Sequence, residues 1–430
     1  MSAWTRFWFE PGPATTLGLC RALFFTGLCL WHIPHDYAAW GAYSDVFWMP
    51  IWLFDWFNIP LLSRDALDAV QVVFKVSLVL GAIGLFTRAA TIVAFVLGTY
   101  LMGLPHNFGQ TQHFDTLPVF ILGALALSRA GDAWSLDAVF ASARHRSPAH
   151  PADSGEYTWP IRFVWVAWAL IFCAAGISKL RHSGLEWIFS DNLALLLQRQ
   201  QYRISDGEPL TSWGLVVAGY PWLAQALAAI AVSVETFFPL VLFSRTARLL
   251  LVPAGLAFLV GIRVLMGPTF EQFMVCFVFW VPWQRVALDL HSRFAAPPAR
   301  LVLYDGGCGL CSRSIAVLGR LDLLHRLRFA DVAAEWDPLS ASYPDLDRDA
   351  CLTDMHVINR RGEILRGFDA YRSIAWVVPF GWLMLPWLYV PGVPAVGRRV
   401  YGAIASHRRT ATCQLPLPAA PTVSRTPNSG

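Results

Sequence analysis

The feature that most constrains this chain is the recurrence of apolar runs close to the roughly 20 residues that carry a helix through the hydrocarbon of a bilayer. Such runs lie near 15–33, 68–87, 89–104, 114–129, 160–178, 219–243, 248–266 and 269–285. A backbone in lipid must satisfy its own hydrogen bonds, so runs of this kind fold as helices. The expected architecture is therefore a polytopic α-helical membrane bundle of about eight spans over residues 10–290. The composition agrees, with 56% hydrophobic and only 14% charged residues, far from soluble usage. Many of the 20 tryptophans and 29 phenylalanines sit at the ends of the runs, where amphipathic rings favour the headgroup level. The stretch 47–62, FWMPIWLFDWFNIPLL, is apolar but broken by two prolines, and is expected to lie in the interface or to re-enter. The first run begins near Leu17 without an Ala-x-Ala site and is expected to stay in the membrane. The net charge of +4 is small and dispersed, which leaves no basic patch for nucleic acid.

Basic residues set the orientation. If eight spans alternate from a cytoplasmic N-terminus, Arg6, Arg88, Arg129, Arg144, Arg146, Arg245, Arg248, Arg285, Arg293 and Arg300 all fall on the cytoplasmic side. This predicts a multi-pass protein of a bacterial inner membrane with its C-terminal domain in the cytoplasm. The segment 179–217 falls on the outer side and breaks the rule, because it carries Lys179, Arg181, Arg199 and Arg203. A local break of a global pattern points to a site.

Lysine is scarce: Lys75 and Lys179 stand among 33 basic residues. Arg stays protonated, whereas a lysine in an apolar site can give up its proton and act as a base. Lys179 ends the fifth run in IFCAAGISKLRHSGLEW, where Ala174, Ala175, Gly176 and Ser178 let a neighbouring helix or a flat ligand approach. The alternative is a lysine that snorkels to the headgroups. Glu235, in VETFFPLV, is the other costly residue within a run; it is either functional or ties spans together.

The runs FCAAGISKL, followed by Trp187, and HFDTLPVFILGALALSRAGDAWSLDA resemble the membrane domain of vitamin K-dependent gamma-carboxylases and their wider HTTM family, over about 10–290. The resemblance implies that Lys179 is the base that deprotonates a hydroquinone, and that His113 in QTQHFD stands close to it, with Asn107 upstream. Asn107, Glu235 and Trp187 are then the residues expected to hold a quinone or hydroquinone. The chain has Phe258-Leu259 where the family carries Phe-His, and it lacks the lumenal domain with which true carboxylases hold their protein substrate.

A second kind of pattern follows the runs. Residues 291–300 read as a linker, 301–410 as a small α/β domain of thioredoxin type, and 411–430 as a disordered tail. In LVLYDGGCGLCSRSIAVLGRLDLLHRLRFAD, residues 301–331, an apolar strand leads to a Gly-rich turn with two cysteines, an amphipathic helix and a second strand. A dithiol at a helix N-terminus is set up for redox work, because the dipole and the unpaired amides stabilise a thiolate. Cys308 is expected to attack and Cys311 to resolve. Half of a zinc site and an incidental pair are the alternatives; Cys351 and His356 are not spaced as a second zinc knuckle. Of the eight cysteines, Cys20, Cys29, Cys173 and Cys276 fall singly in apolar runs and read as small core residues.

The spacing Asp305-x-x-Cys308-x-x-Cys311 is similar to the DCC family of thiol-disulfide oxidoreductases, over about 300–410, and DMHVINRRGEILRGFDAYRSI resembles that family's hairpin with Gly362 in its turn. Asp305 either takes a proton from a cysteine or caps the turn. The reading as a whole is a membrane-bound thiol-disulfide oxidoreductase, with a lipid bilayer and a dithiol or disulfide substrate as partners, coupled to a quinol-handling membrane domain. The rival is a transporter or anchor, with redox chemistry confined to the dithiol.

Overall fold

The computed structural model describes residues 2–109, 115–145, 151–202, 210–268, 270–286, 300–322, 326–382 and 384–408. The chain divides into two compact units, one of Met1–Ala138 with His150–Ala287 and the other of Val139–Ala149 with Leu288–Gly430.

In the first unit, six helical stretches are long and apolar enough to cross a membrane. They contain α1 (Ala14–His32), α2 (Arg64–Ile83), α3 (Thr87–Gly103), α5 (Trp159–Ser183), α7 (Pro221–Phe237) and α8 (Arg245–Leu265). The other two expected spans are shorter. The run 114–129 yields α4 (Thr116–Leu127), and 269–285 yields α9 (Glu271–Val275) followed by a 3₁₀ turn, Cys276–Trp280. At about 1.5 Å per α-helical and about 2.0 Å per 3₁₀ residue each extends about 18 Å, against a hydrocarbon core of about 30 Å. Among the described residues six helices reach membrane length, so the expected count of about eight spans is not reached by helix length alone.

Both short helices nevertheless run back along their predecessors. Arg88, at the start of α3, donates to Ser128 O just after α4 at 3.1 Å. Asp137 caps Phe86 N and Thr87 N at 2.9 and 2.7 Å. Similarly, Glu271 pairs with Arg263 near the end of α8 at 3.3 Å. Trp280 stacks on Trp165 at 4.8 Å, and Arg248 from the start of α8 lies 4.3 Å over that same Trp165 ring.

Local chemistry fixes the helix ends. Ser63 Oγ caps α2 through Ala66 N at 3.4 Å, and Gly84 closes the helix at φ +69°, a left-handed conformation that favours glycine. Pro221 opens α7, where its missing N–H costs nothing. The core between helices is aromatic, with Phe24, Phe25, Phe74, Trp168, Phe238 and Phe279 fully buried. Where α5 meets α7 the contact is backbone-close: a Cβ on Gly176 would lie 2.5 Å from Thr236 Oγ1. The stretch 47–62 contains one short α-helix, Trp52–Trp56, with Trp52 and Trp56 exposed.

The described residues of the segment 179–217, expected on the outer side, include further helices. Helix α6 (Asn192–Gln201) and Trp213–Ala218 form a small apolar cluster with the start of α7 through Ala194, Leu197, Val217, Ala218 and Ala224. Thr211 Oγ1 donates to Val264 O at 3.1 Å, joining the segment to the end of α8.

The second unit is built on a four-stranded mixed sheet in the order β2-β1-β3-β4. Strand β1 (Arg300–Tyr304) pairs in parallel with β2 (Leu327–Asp331) through the crossover helix α10 (Gly309–Leu321). On its other edge β1 pairs antiparallel with β3 (His356–Asn359), which turns back into β4 (Ile364–Arg366). The expected order of strand, dithiol turn, helix and strand is present, and Gly362 occupies the hairpin turn at φ +80°. Helices α11 (Phe368–Ala375) and α12 (Val393–Arg408) pack on one another. One face of the sheet buries Val302, Met355, Val357, Ala370 and Ile374. The other buries Leu303, Ala330, Val332 and Ile358.

Candidate functional site

Strand β1 ends at Tyr304, and the next four residues aim the dithiol. Asp305 Oδ1 accepts from Gly307 N at 3.0 Å, and Cys308 N donates to Asp305 O at 3.2 Å. Asp305 therefore caps the turn in the Asx manner. Asp331, at the end of β2, holds the turn from the other side: its Oδ1 accepts from Gly306 N at 3.1 Å and from Ala333 N at 3.0 Å. The approach is so close that a Cβ on Gly306 would lie 2.0 Å from Asp331 Oδ2. Reading the sequence missed Asp331; the available signal was an acidic residue ending the second strand, in RFAD.

Cys308 is the N-cap residue of α10, at φ −86° and ψ 117°, and Cys311 sits inside the first turn. Ser312 Oγ lies 3.1 Å from Cys308 O and 3.2 Å from Gly306 O, locking turn to helix. The two cysteines are 7% and 4% exposed, whereas Leu310 between them is 43% exposed. A partner must therefore reach the sulfurs across an apolar shoulder. Cys351 is different: burial, with Asp347 adding to it, pushes its thiol up to about 11, so it stays protonated and unreactive near neutral pH. Among the described residues no group of three His, Cys, Asp or Glu is placed to hold a metal.

Gly306→Ala tests how tightly the turn is built. The added methyl forces Asp331 or the turn to move, and overpacking of this kind costs about 1–3 kcal/mol. The expected outcome is a lower denaturation midpoint for the C-terminal unit together with slower thiol exchange. An unchanged midpoint would mean that the turn adapts freely.

In the membrane unit three of the expected residues converge. Lys179, near the end of α5, donates to both carboxylate oxygens of Glu235 on α7, at 2.8 and 2.6 Å. Its ammonium lies 5.4 Å from the ring centre of Trp187, a cation–π distance. The Lys179 and Glu235 side chains are 24% and 6% exposed, so the lysine does not simply snorkel away from the bundle. Asn107 is elsewhere and structural in its contacts: Oδ1 accepts from Ile51 N at 2.8 Å and Nδ2 donates to Gly103 O at 2.9 Å, pinning the stretch 47–62. His113 lies outside the described residues.

A second polar group, not anticipated from sequence, lies in the same unit. His32 Nδ1 and Tyr37 Oη are 2.6 Å apart, and the Gln272 side chain hydrogen-bonds Asp115. His32 lies near the end of one apolar run and Gln272 near the start of another.

Residues 302–414 match the model of the DCC1-like thiol-disulfide oxidoreductase family. A curated relative, an uncharacterized chloroplastic protein of Arabidopsis thaliana, is 27% identical over 112 residues, which is 26% of this chain and 51% of that protein. The match thus spans about half the length of that relative. No solved structure matches the chain. Its C-terminal part, residues 302–414, is a DCC1-like thiol-disulfide oxidoreductase domain.

Proposed function

We propose that this protein is a membrane-bound thiol-disulfide oxidoreductase in which Cys308 attacks and Cys311 resolves, on a thioredoxin-like scaffold. The carrying observation is the dithiol at the first turn of α10 within a matched oxidoreductase domain. The Cys308 thiolate attacks a partner disulfide, forming a mixed disulfide, and the displaced sulfur takes up a proton. Cys311 then gives up its proton and attacks Cys308, releasing the second partner sulfur. Two electrons pass from the dithiol to the partner, and a Cys308–Cys311 disulfide remains. The second carboxylate oxygen of Asp305 is assigned to relaying the proton of the resolving step. Counted over all eight apolar runs, the arginine distribution favours a cytoplasmic side for this domain, in a membrane that we assign as a bacterial inner membrane.

The convergence of Lys179, Glu235 and Trp187 favours a second activity of the carboxylase-like, HTTM-type kind, handling a hydroquinone. Passage of the ammonium proton to Glu235 would leave a neutral amine to accept a hydroquinone proton, with Trp187 beside the ring and His113 assigned as a neighbour. A transporter or anchor would use the same pair only to join α5 to α7. Lys179→Arg keeps the charge and removes the neutral amine. Full loss of hydroquinone-dependent turnover, with unchanged expression and thermal stability, is expected. Wild-type turnover would assign the pair to structure alone.

A further inference from the structure

The strand register gives the C-terminal unit two poles. Leu303 pairs with His356, which also pairs with Arg366, so these residues share the end of the sheet that leads to the dithiol turn. Arg300 pairs with Leu327 and Asn359 at the other end, together with the β3–β4 turn. Helix α11 leaves Gly367, whose N donates to Met355 O at the dithiol pole, and runs to the opposite pole, where Arg300 Nε donates to Ser373 Oγ at 2.6 Å. The chain then makes two short helices, Pro379–Trp382 and Leu385–Leu388, before α12 returns to set Tyr401 Oη against Met355 N at 2.9 Å. The described residues of this connection, 376–382 and 384–390, therefore crown the Arg300 pole.

This crown is unusually apolar for a surface. Trp387 is 71% exposed, Trp376 54%, Trp382 52% and Phe380 49%. The rings are nonetheless ordered: Trp376 Nε1 donates to Tyr389 Oη at 2.6 Å, Trp382 Nε1 donates to Trp376 O at 3.1 Å, and Arg372 lies 4.1 Å over the Tyr389 ring. A contiguous exposed patch of this kind marks an interaction surface. Its rim is basic, with Arg360 and Arg361 in the hairpin turn and Arg326 beside Arg300.

We infer that residues 376–390 are an interfacial membrane anchor, which lays the Arg300 pole of the C-terminal unit on an anionic bilayer surface and leaves the dithiol pole facing water. Three observations select lipid as the occupant. The pole is where the chain enters from residues 287–299, directly after the membrane-length helices, so the bilayer is always within reach. Tryptophan and tyrosine with an apolar body and a bonded polar tip are the residues that settle at the headgroup level. An arginine rim matches anionic headgroups, whereas a second copy docking isologously would bring two arginine rims together. The inference rests on the membrane reading of the first unit and is independent of the redox reading.

The test uses the full-length protein in nanodiscs of phosphatidylcholine, with and without phosphatidylglycerol, and a photocrosslinker at one position at a time: Trp387→p-benzoylphenylalanine, Trp382→p-benzoylphenylalanine or, at the dithiol pole, Leu310→p-benzoylphenylalanine. Mass spectrometry should find lipid adducts at 387 and 382 and none at 310. Arg360→Ser with Arg361→Ser should lower the adduct yield in phosphatidylglycerol discs by several-fold, since each surface arginine contributes about fivefold to anionic-lipid attraction. Adducts at 387 to protein, whether this chain or a second copy, would overturn the anchor. So would lipid labelling at 310 equal to that at 387.

Discussion

Cys308→Ser abolishes thiol-disulfide exchange by the full-length protein, and Cys311→Ser leaves it arrested in a covalent mixed disulfide with its partner. The asymmetry follows from position. Cys308 caps α10, where the amides of the first turn and the helix dipole favour a negative charge, whereas Cys311 lies inside that turn and is 4% exposed. Without Cys308 no attacking sulfur stands at the helix N-terminus, so the rate falls to that of uncatalysed exchange. Without Cys311 the first step proceeds and the second cannot. The trapped partner is identified by mass spectrometry after non-reducing purification. Equal residual exchange in both single variants would show that the two sulfurs are interchangeable and that the helix sets no order.

The second large effect belongs to the ion pair between α5 and α7. Lys179→Met leaves Glu235, 6% exposed, without its partner, and Glu235→Leu leaves the ammonium within the bundle. Breaking one side of a buried pair costs about 3–5 kcal/mol. Replacing both sides together removes the stranded charge, and the double variant should regain most of that loss, because apolar replacement of a buried pair is often neutral or stabilising by about 1–4 kcal/mol. Thermal unfolding of the four proteins in detergent closes the cycle. If both singles are as stable as the wild type, the pair is hydrated and adds nothing to the fold. A stable but quinol-inactive double variant would separate the chemical role of the pair from its structural one.

The C-terminal unit was legible in the sequence because its signals are local. Asp-Gly-Gly-Cys at a strand end admits few conformations, and Gly362 is in the positive-φ turn that its hairpin needs. Lys179 and Glu235 were each legible as expensive residues in an apolar run, but their pairing with one another was not, because the family resemblance sets Lys179 beside His113. The span count was less legible because hydropathy counts apolar residues and not helical ones. In 114–129 the helix starts only after Asp115 and stops at Ser128; in 269–285 the helix tightens into a 3₁₀ turn at Cys276, and Pro282 follows closely. The segment 179–217 stands out in the sequence only for its charges, yet Ala194, Leu197 and Val217 form a small apolar cluster with Ala218 and with Ala224 of α7. The aromatic crown was hidden by Pro379, Pro386, Pro391 and Pro394, which interrupt both helical and strand periodicity.

Thiol mapping of the native protein tests the central assignment most directly. The reduced full-length chain, pulsed with iodoacetamide near neutral pH and digested, should carry label at Cys308 first and at Cys311 much later. Cys351, its thiol pushed up to about 11 by burial and by Asp347, should be labelled only after unfolding. Equilibration with oxidised glutathione should protect Cys308 and Cys311 together, as one peptide pair lighter by two hydrogens. Cys308 and Cys311 modified independently, or both shielded by a retained metal ion, would contradict a redox-active dithiol.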